Sequence, residues 1–316
     1  MKNMKRNFRG AFTLFEIIMV IIVLGIVSMI GTNIIAHMYE NYLRSKYINE
    51  LEQKTELALE IITHRLQYRV KSSAIVREQG TNNIEWLNSQ DLNASFDMLE
   101  WIGYEYESFR GENNGTMTVP GWSGFVDLNN SQTNETQIVT SGSNLDFTVK
   151  MIKMLSYDEV DLNNTAGKNL PAIIFKQLSS NELSGFGWDW SNNDHNYTLR
   201  VKKDPTRNDV LVFDENITAQ GVTELKEQYY LAWTAYALVP EGDENDFNLT
   251  LYYNYQPWYG EKYNDTDKNI KKSLVAEHVT SFKFLQSGNT VRIKLCIGDG
   301  NQTGSAFGFC KEKAVF

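Results

Sequence analysis

The most pronounced hydropathy pattern in the chain is an apolar run near its start. Residues 12–35 form a stretch of 24 residues with a single charge, Glu16. At about 1.5 Å per residue, a helix of that length spans roughly 36 Å, enough to cross the hydrocarbon core of a bilayer. The run follows four basic residues: Lys2, Lys5, Arg6 and Arg9. Basic residues stay on the cytoplasmic side, so the pattern predicts one transmembrane helix with its N-terminus in the cytoplasm and the remaining chain outside.

Beyond residue 35 the apolar positions recur at helical spacing. They are Ile48, Leu51, Thr55, Ala58, Ile62, Leu66 and Val70. No Pro or Gly occurs between Thr32 and Ser73, so nothing in this stretch breaks a helix. We therefore predict one helix from Phe12 to about Val70, with a transmembrane half over residues 12–35 and an amphipathic half over residues 36–72.

Residues 73–316 show short apolar or alternating runs bounded by Asn, Asp, Gly and Pro, a pattern typical of strands. We predict strands at residues 145–152, 172–178, 197–202, 210–213, 227–239, 248–256, 280–285, 290–297 and 313–316. The acidic segment 240–247 predicts the turn of a long hairpin, and residues 287–289 predict a second turn. Residues 72–143 indicate only loops and short elements. The predicted fold class is α+β: a long N-terminal helix and an antiparallel β-sheet head.

Glu16 is the one ionisable side chain in the apolar run. An ionised carboxylate inside a membrane helix costs on the order of 3 kcal/mol, so we expect a cation to pair with it. A cut between Ala11 and Phe12 would create an α-amino group on Phe12, and such amines are mostly protonated at neutral pH. We predict that this amine neutralises Glu16 of a neighbouring copy. An ordinary secretory signal fits less well, because Ile34 stands where a small residue should precede the cut.

The sequence F-T-L-F-E at residues 12–16, after a short basic leader, resembles the mature start of type IV pilins. The resemblance implies a leader peptide over residues 1–11, cleavage by prepilin peptidase after Ala11, and N-methylation of Phe12. Glycine is the usual residue before the cut, so cleavage after Gly10 is the alternative, although it would move Glu16 to the sixth mature position. Gly25 also matches the family, whereas Asn33 replaces its usual kinking proline.

Residues 273–284, followed by a strand pair, resemble the C-terminal region of J-type minor pseudopilins and related minor pilins. The two resemblances together imply a structural minor pilin or pseudopilin that assembles into a type IV pilus or a type II secretion pseudopilus. Glu16 would be its assembly carboxylate. The implied partners are other pilin subunits, which bind through the N-terminal helix, prepilin peptidase and the inner membrane. The head, residues 73–316, would lie in the periplasm, or on the cell surface after assembly.

Cys296 and Cys310 are the only cysteines, and they fall in a segment that would face an oxidising compartment. We therefore predict a disulfide between them. A two-cysteine metal site is the weaker alternative because no His lies nearby, and a redox centre would more often have C-x-x-C spacing. Closure of a 15-residue loop by a disulfide stabilises a fold by roughly 3 kcal/mol.

Asn-x-Ser/Thr sequences are more frequent than composition predicts. The chain has 31 Asn, from which about four are expected at ordinary Ser and Thr content, yet ten occur. Eight of them carry Asp or Glu two residues before the asparagine, and these asparagines are Asn93, Asn114, Asn129, Asn163, Asn196, Asn216, Asn248 and Asn301. The other two are Asn134 and Asn264. The pattern D/E-x-N-x-S/T resembles the acceptor of the bacterial oligosaccharyltransferase of epsilon-class proteobacteria. It predicts N-glycosylation and that enzyme as a partner, and turn chemistry of Asn and Asp is the alternative.

Composition limits the remaining functions. The net charge of −9 and the pI of about 5.1 disfavour nucleic acid as a partner. The four His are scattered, and Asp265 begins a calcium-like loop in which Ile270 replaces the required Gly, so we predict no metal, no cofactor and no catalysis. The alternative function is an adhesin or DNA-uptake tip subunit. Its sugar platform would be Trp188 and Trp190, for which we prefer a packing role.

Overall fold

The chain divides into two compact units. A computed structural model describes residues 13–89, 92–93, 95–113, 115, 117–176, 183–189, 195–218, 221–222, 224–300 and 308–316. The first unit ends at Leu51 and the second begins at Glu52. The fold class is α+β, as the sequence predicts, with a long N-terminal helix followed by a large antiparallel sheet.

Helix α1 (Leu14–Gln67) contains 54 residues, close to the predicted span. In the second unit it buries one stripe of side chains at the helical spacing i, i+3, i+4 and i+7: Thr55, Ala58, Leu59, Ile62 and Leu66. The helix ends in a tightened turn, where Arg69 donates from its backbone N–H to the Leu66 carbonyl at 3.2 Å and from Nη1 at 2.8 Å. Arg69 thereby satisfies a carbonyl that the helix end leaves without an intrahelical partner.

Two shorter helices and fourteen strands make up the rest of the described chain. The helices are α2 (Tyr106–Phe109) and α3 (Leu145–Leu155). The strands are β1 (Ile75–Arg77), β2 (Ile84–Trp86), β3 (Met98–Tyr104), β4 (Glu112–Asn113), β5 (Thr118–Val119), β6 (Gln137–Val139), β7 (Ala172–Phe175), β8 (Leu199–Lys203), β9 (Val210–Phe213), β10 (Tyr229–Asp243), β11 (Asp246–Tyr255), β12 (Lys271–Ser287), β13 (Thr290–Gly298) and β14 (Gly308–Val315).

Twelve strands form one sheet, and the long strand β10 is its centre. The sheet order is β14-β13-β12-β11-β10-β7-β8-β9-β6, and β3 joins β10 and carries β1 and β2. Strands β4 and β5 form a separate pair. Every pairing between these strands is antiparallel, as predicted. Because β12, β13 and β14 follow each other in chain order, these three strands build one side of the sheet as a meander.

The strand prediction for residues 145–152 is wrong, because this segment is the first part of helix α3. Its buried residues are Leu145, Thr148, Val149 and Ile152, which is helical rather than alternating spacing. The predicted turn over residues 240–247 is also shorter than expected. Strands β10 and β11 remain paired to Asp243 and Asp246, so only two residues turn the chain. The turn after β12 lies at residues 288–289, within the predicted range.

An ion pair is buried where the β1–β3 corner meets the loop after residue 182. Arg77 pairs with Glu100, and both side chains have at most 1% exposure. The Tyr255 hydroxyl donates to Glu100 Oε2 at 3.0 Å, and Arg77 Nη2 donates to the Trp188 carbonyl at 3.0 Å. Each charge therefore has hydrogen-bond partners, without which burial would cost several kcal/mol. Gly187, at φ +82°, allows this loop to approach, because a Cβ there would collide with the Pro257 carbonyl oxygen.

Glu105 is a second buried carboxyl and caps helix α2. It accepts from the Ser108 backbone N–H at 2.8 Å, from the Ser108 hydroxyl, and from Trp122 Nε1 at 2.9 Å. Burial raises the pKa of Glu105 to about 7, although these hydrogen bonds act in the opposite direction. The folded protein therefore holds a proton on this carboxyl at pH values where the unfolded chain has lost it.

We predict that Glu105 makes the head more stable as the pH falls from about 7 towards 4.5. Its pKa in the folded protein lies above the ordinary value of 4.5, so the folded state binds the proton more tightly. The whole shift corresponds to about 3 kcal/mol, which is lost as the pH rises through 7. Denaturant unfolding of the full chain in detergent at pH 5 and pH 8 measures it. Glu105→Gln should remove this pH dependence, whereas the surface variant Glu107→Gln should retain it; equal slopes for both variants would contradict the assignment.

Candidate functional site

The start of α1 is held by reciprocal hydrogen bonds between Thr13 and Glu16. Glu16 Oε2 accepts from the Thr13 backbone N–H at 3.0 Å and from the Thr13 hydroxyl at 3.1 Å. The Glu16 backbone N–H in turn donates to the Thr13 hydroxyl oxygen at 3.3 Å. This is a capping box, for which T-x-x-E at the start of a helix is the sequence signal. The carboxylate therefore has a structural role that the sequence analysis missed, in addition to the charge role predicted for it.

The helix around this carboxylate is apolar and uncovered. Every residue from Leu14 to Ile30 is exposed, and the most apolar stretch of α1 has a mean hydropathy of 2.7. The Thr32 hydroxyl donates to the Ser28 carbonyl at 2.8 Å, which satisfies this polar group within the helix. By length and composition, α1 is apolar enough to span a membrane. Ala11 and Phe12, the predicted cleavage and methylation residues, lie outside the described part of the chain.

The C-terminal part of α1 is attached to strand β14 by ion pairs. Within the second unit, Glu56 contacts Lys311 Nζ at 2.6 Å and Lys313 Nζ at 2.8 Å. Hydrogen bonds from these two lysines lower the pKa of Glu56 to about 2, so the carboxylate stays ionised at any physiological pH. Both lysines belong to β14, the outermost strand of its side of the sheet. The interaction fixes this edge strand to the helix.

Aromatic and cationic side chains extend the same helix-to-head contact. Tyr68, just after α1, stacks on Tyr106 with ring centroids 3.7 Å apart and meets Tyr104 edge-on at 5.8 Å. Arg65 lies over the ring of Tyr236 at 5.8 Å. Arg69 Nη2 donates to the Asn289 carbonyl at 2.8 Å, which joins the helix end to the turn between β12 and β13. The part of α1 that follows Leu51 is thus part of the head rather than a tether to it.

A disulfide joins Cys296 to Cys310, as predicted. The two residues are directly opposite in the β13–β14 ladder, with their Cα atoms 4.0 Å apart. Strand β14 is therefore held by two kinds of contact. The disulfide bonds it to β13, and the ion pairs of its lysines with Glu56 attach it to α1. The segment that the bond closes includes residues 301–307, which lie outside the described residues.

The sequon asparagines lie mostly at the surface. Six of the eight sites that follow an acid fall within the described chain: Asn93, Asn129, Asn163, Asn196, Asn216 and Asn248. All are exposed except Asn196, which is half-buried. Asn134 and Asn264, which have no acid at the second preceding position, are exposed as well. Asn114 and Asn301 lie outside the described residues.

The structure describes only some of the residues that the sequence analysis considered for ligand or metal binding. Trp188 is buried, and its Nε1 donates to the Ser73 carbonyl at 3.0 Å, so it packs in the core as preferred. Trp190 lies outside the described residues. Asp265 Oδ2 accepts from the Lys262 backbone N–H at 2.8 Å, which is a turn contact. No three described His, Cys, Asp or Glu side chains are arranged to hold a metal ion.

A groove beside the β10–β11 turn is acidic. It has a volume of about 740 Å³. Its charged lining residues are Glu78, Asp97, Asp243, Glu244 and Lys283. Four carboxylates against one ammonium group repel a phosphate backbone, so this groove is unsuited to DNA.

Comparison with known proteins found no match for this chain. No family model matches the chain, and no curated protein or solved structure is similar to it.

We predict that loss of the Cys296–Cys310 bond loosens β14 without unfolding the sheet. Chain entropy for a loop of this length gives a loss of about 3 kcal/mol in the free energy of unfolding. The double variant Cys296→Ser/Cys310→Ser, unfolded in detergent beside the oxidised protein, measures the loss. Wild-type protein treated with reductant should match the double variant. An unchanged unfolding midpoint in both would show that β14 does not depend on the bond.

Proposed function

We propose that this chain is a structural subunit of a type IV pilin-like filament, a minor pilin or pseudopilin that is processed by prepilin peptidase. The observation that carries the proposal is a carboxylate, Glu16, at the start of an apolar helix whose residues 14–30 are all exposed. Such a helix requires lipid or other helices as its surroundings. The F-T-L-F-E sequence at residues 12–16 supports the same proposal.

The capping box explains how Glu16 can serve both the helix and a neighbour. Both bonds from Thr13 end on Oε2, so they hold the carboxylate in a fixed orientation at the helix start. In the proposed filament Glu16 Oε1 accepts a hydrogen bond from the charged α-amine of Phe12 in an adjacent subunit. An ion pair in a low-dielectric environment is strong, and its geometry sets the axial register of the two helices.

The chain enters the filament from the inner membrane, with the head in the periplasm and the leader in the cytoplasm. Its partners are the helices of other pilin subunits, and the filament is a type IV pilus or a type II secretion pseudopilus. Translocation of the head would also bring its Asn-x-Ser/Thr sequences to the side of the membrane where lipid-linked oligosaccharides are used in bacteria. An adhesin or DNA-uptake tip subunit is less well supported, because Trp188 is buried and the groove beside the β10–β11 turn is acidic.

We predict that Glu16→Gln blocks assembly while it leaves the helix start intact. Glutamine at this position of a capping box still bonds with Thr13, so the variant removes the charge and retains the cap. Thr13→Ala is the matched control, because it weakens the cap and retains the charge. The readout is the amount of the chain in sheared filaments, or in cross-linked pseudopilus, relative to the amount in the membrane. Normal incorporation of Glu16→Gln would refute a role for the charge.

We predict that the mature protein begins at Phe12 with a methylated α-amine. N-terminal sequencing and mass spectrometry of the native chain measure the cleavage point and the modification together. The first residue distinguishes the two candidate cuts, because cleavage after Gly10 would leave Ala11 at the N-terminus and cleavage after Ala11 leaves Phe12. Native protein that still begins at Met1 would exclude the proposed processing.

A further inference from the structure

The described acids that precede the sequons differ in their contacts. Asp127 and Asp161 accept from the backbone N–H of their own sequon asparagine, at 3.2 Å and 2.9 Å, whereas Asp214 forms ion pairs with Arg200 at 3.6 Å and Lys202 at 3.8 Å. Two further acids differ again. Asp246 contacts His278 Nδ1 at 3.0 Å, and Glu112 accepts from Asn144 at 3.5 Å. Turn chemistry explains an acid that bonds with its own loop, but it does not explain acids with such different contacts at the same position before a sequon.

An enzyme that recognises D/E-x-N-x-S/T must reach the acid, the asparagine and the hydroxyl residue. At three sites the asparagine and the hydroxyl residue are both exposed: Asn93 with Ser95, Asn129 with Ser131, and Asn216 with Thr218. Asp91, the acid before Asn93, lies outside the described residues. The Oδ1 atoms of Asn93 and Asn216 accept the backbone N–H two residues later, each at 2.9 Å. Their Nδ2 atoms, at which a glycan would be attached, are the opposite end of the same amide and lie at the surface.

At three other sites one of these groups is buried as well as hydrogen-bonded. Asp161, before Asn163, is fully buried, contacts Lys153 Nζ at 3.2 Å and accepts from the Thr165 hydroxyl. At the other two sites the fold buries the hydroxyl residue rather than the acid. Thr198, after Asn196, is buried and donates to the His195 carbonyl at 3.2 Å, and Thr250, after Asn248, is buried and donates to Glu241 Oε2 at 2.8 Å. An enzyme acting on the folded head cannot bind these groups without breaking those contacts.

Two exposed sites provide a natural control for the acid. Asn134 with Thr136 and Asn264 with Thr266 have both groups at the surface. Gln132 and Lys262 stand two residues before them, in place of an acid. Exposure and the sequon are thus present at these two sites and the carboxylate is missing, and at one of them Asn134 Nδ2 also donates to the Gln132 carbonyl at 3.3 Å.

We propose that the folded head is N-glycosylated at Asn93, Asn129 and Asn216, and that the fold excludes Asn163, Asn196 and Asn248. The donor is an oligosaccharide on a polyprenyl diphosphate, and the transferase holds a cation for the preceding carboxylate. The asparagine Nδ2 forms a bond to the anomeric carbon as that carbon's bond to the diphosphate oxygen breaks. The polyprenyl diphosphate leaves, and a base of the transferase takes the Nδ2 proton. The inference rests on the translocation of the head in the proposed function, but not on filament assembly.

The test is glycopeptide mass spectrometry of the full chain isolated from its own cells. We expect glycopeptides at Asn93, Asn129 and Asn216. We expect unmodified peptides at Asn163, Asn196, Asn248, Asn134 and Asn264. Unmodified peptides at all sites would overturn the proposal, and equal occupancy at Asn163, Asn196 and Asn248 would overturn transfer to the folded head. The same digest contains the N-terminal peptide, so a chain that begins at Phe12 without glycans retains the filament proposal while it loses this one.

Two variants test the carboxylate directly. Asp214→Asn should lose the glycopeptide at Asn216 and retain the one at Asn129, whereas Asp214→Glu should keep both. Gln132→Asp supplies the missing acid and should add a glycan at Asn134, a gain that damage to the fold would not produce. Occupancy at Asn216 that is unaffected by Asp214→Asn, or no gain at Asn134, would overturn the role of the acid.

Discussion

The constraint on which the rest of this structure depends is the uncovered apolar surface of the first half of α1. Residues 14–30 expose Leu, Ile, Val, Met and Phe side chains on all sides of the helix. Transfer of each such side chain out of water is favourable by on the order of 2 kcal/mol. The sum over these side chains exceeds the whole free energy of unfolding of an ordinary domain. Lipid or other apolar helices must therefore cover this surface. The capping box at Thr13 and Glu16 begins the helix at the edge of that apolar stretch.

The same helix meets a different environment after Glu52. There one stripe of α1 is buried, while Gln53, Lys54 and Glu60 remain exposed on the opposite side. The contacts of Glu56, Arg65 and Arg69 connect this half of the helix to β14, to Tyr236 and to the β12–β13 turn. One continuous helix thus belongs to a packed head at its end, whereas its beginning requires an apolar environment that the first unit does not provide.

Hydrophobic periodicity was sufficient to predict α1, the strand at Val210–Phe213 and the long pair β10 and β11, because these segments are long or strongly apolar. It failed at α3, whose first residues alternate over a short window although their burial is helical. It also missed the first half of β12, where the register shifts and many side chains are exposed. The capping box was visible as T-x-x-E. The buried contacts of Glu105 and of Arg77 with Glu100 were not, since they join residues that only the tertiary fold brings together.

The final residues of β14 lie beside α1. Lys313 to Phe316 line a groove together with Glu60, His64 and Gln67 of α1. A label or affinity tag inserted in this segment would therefore lie against the helix and next to the strand that Glu56 holds. Insertions for labelling are better tolerated at the two-residue turn between β10 and β11, which is exposed and remote in sequence from both termini.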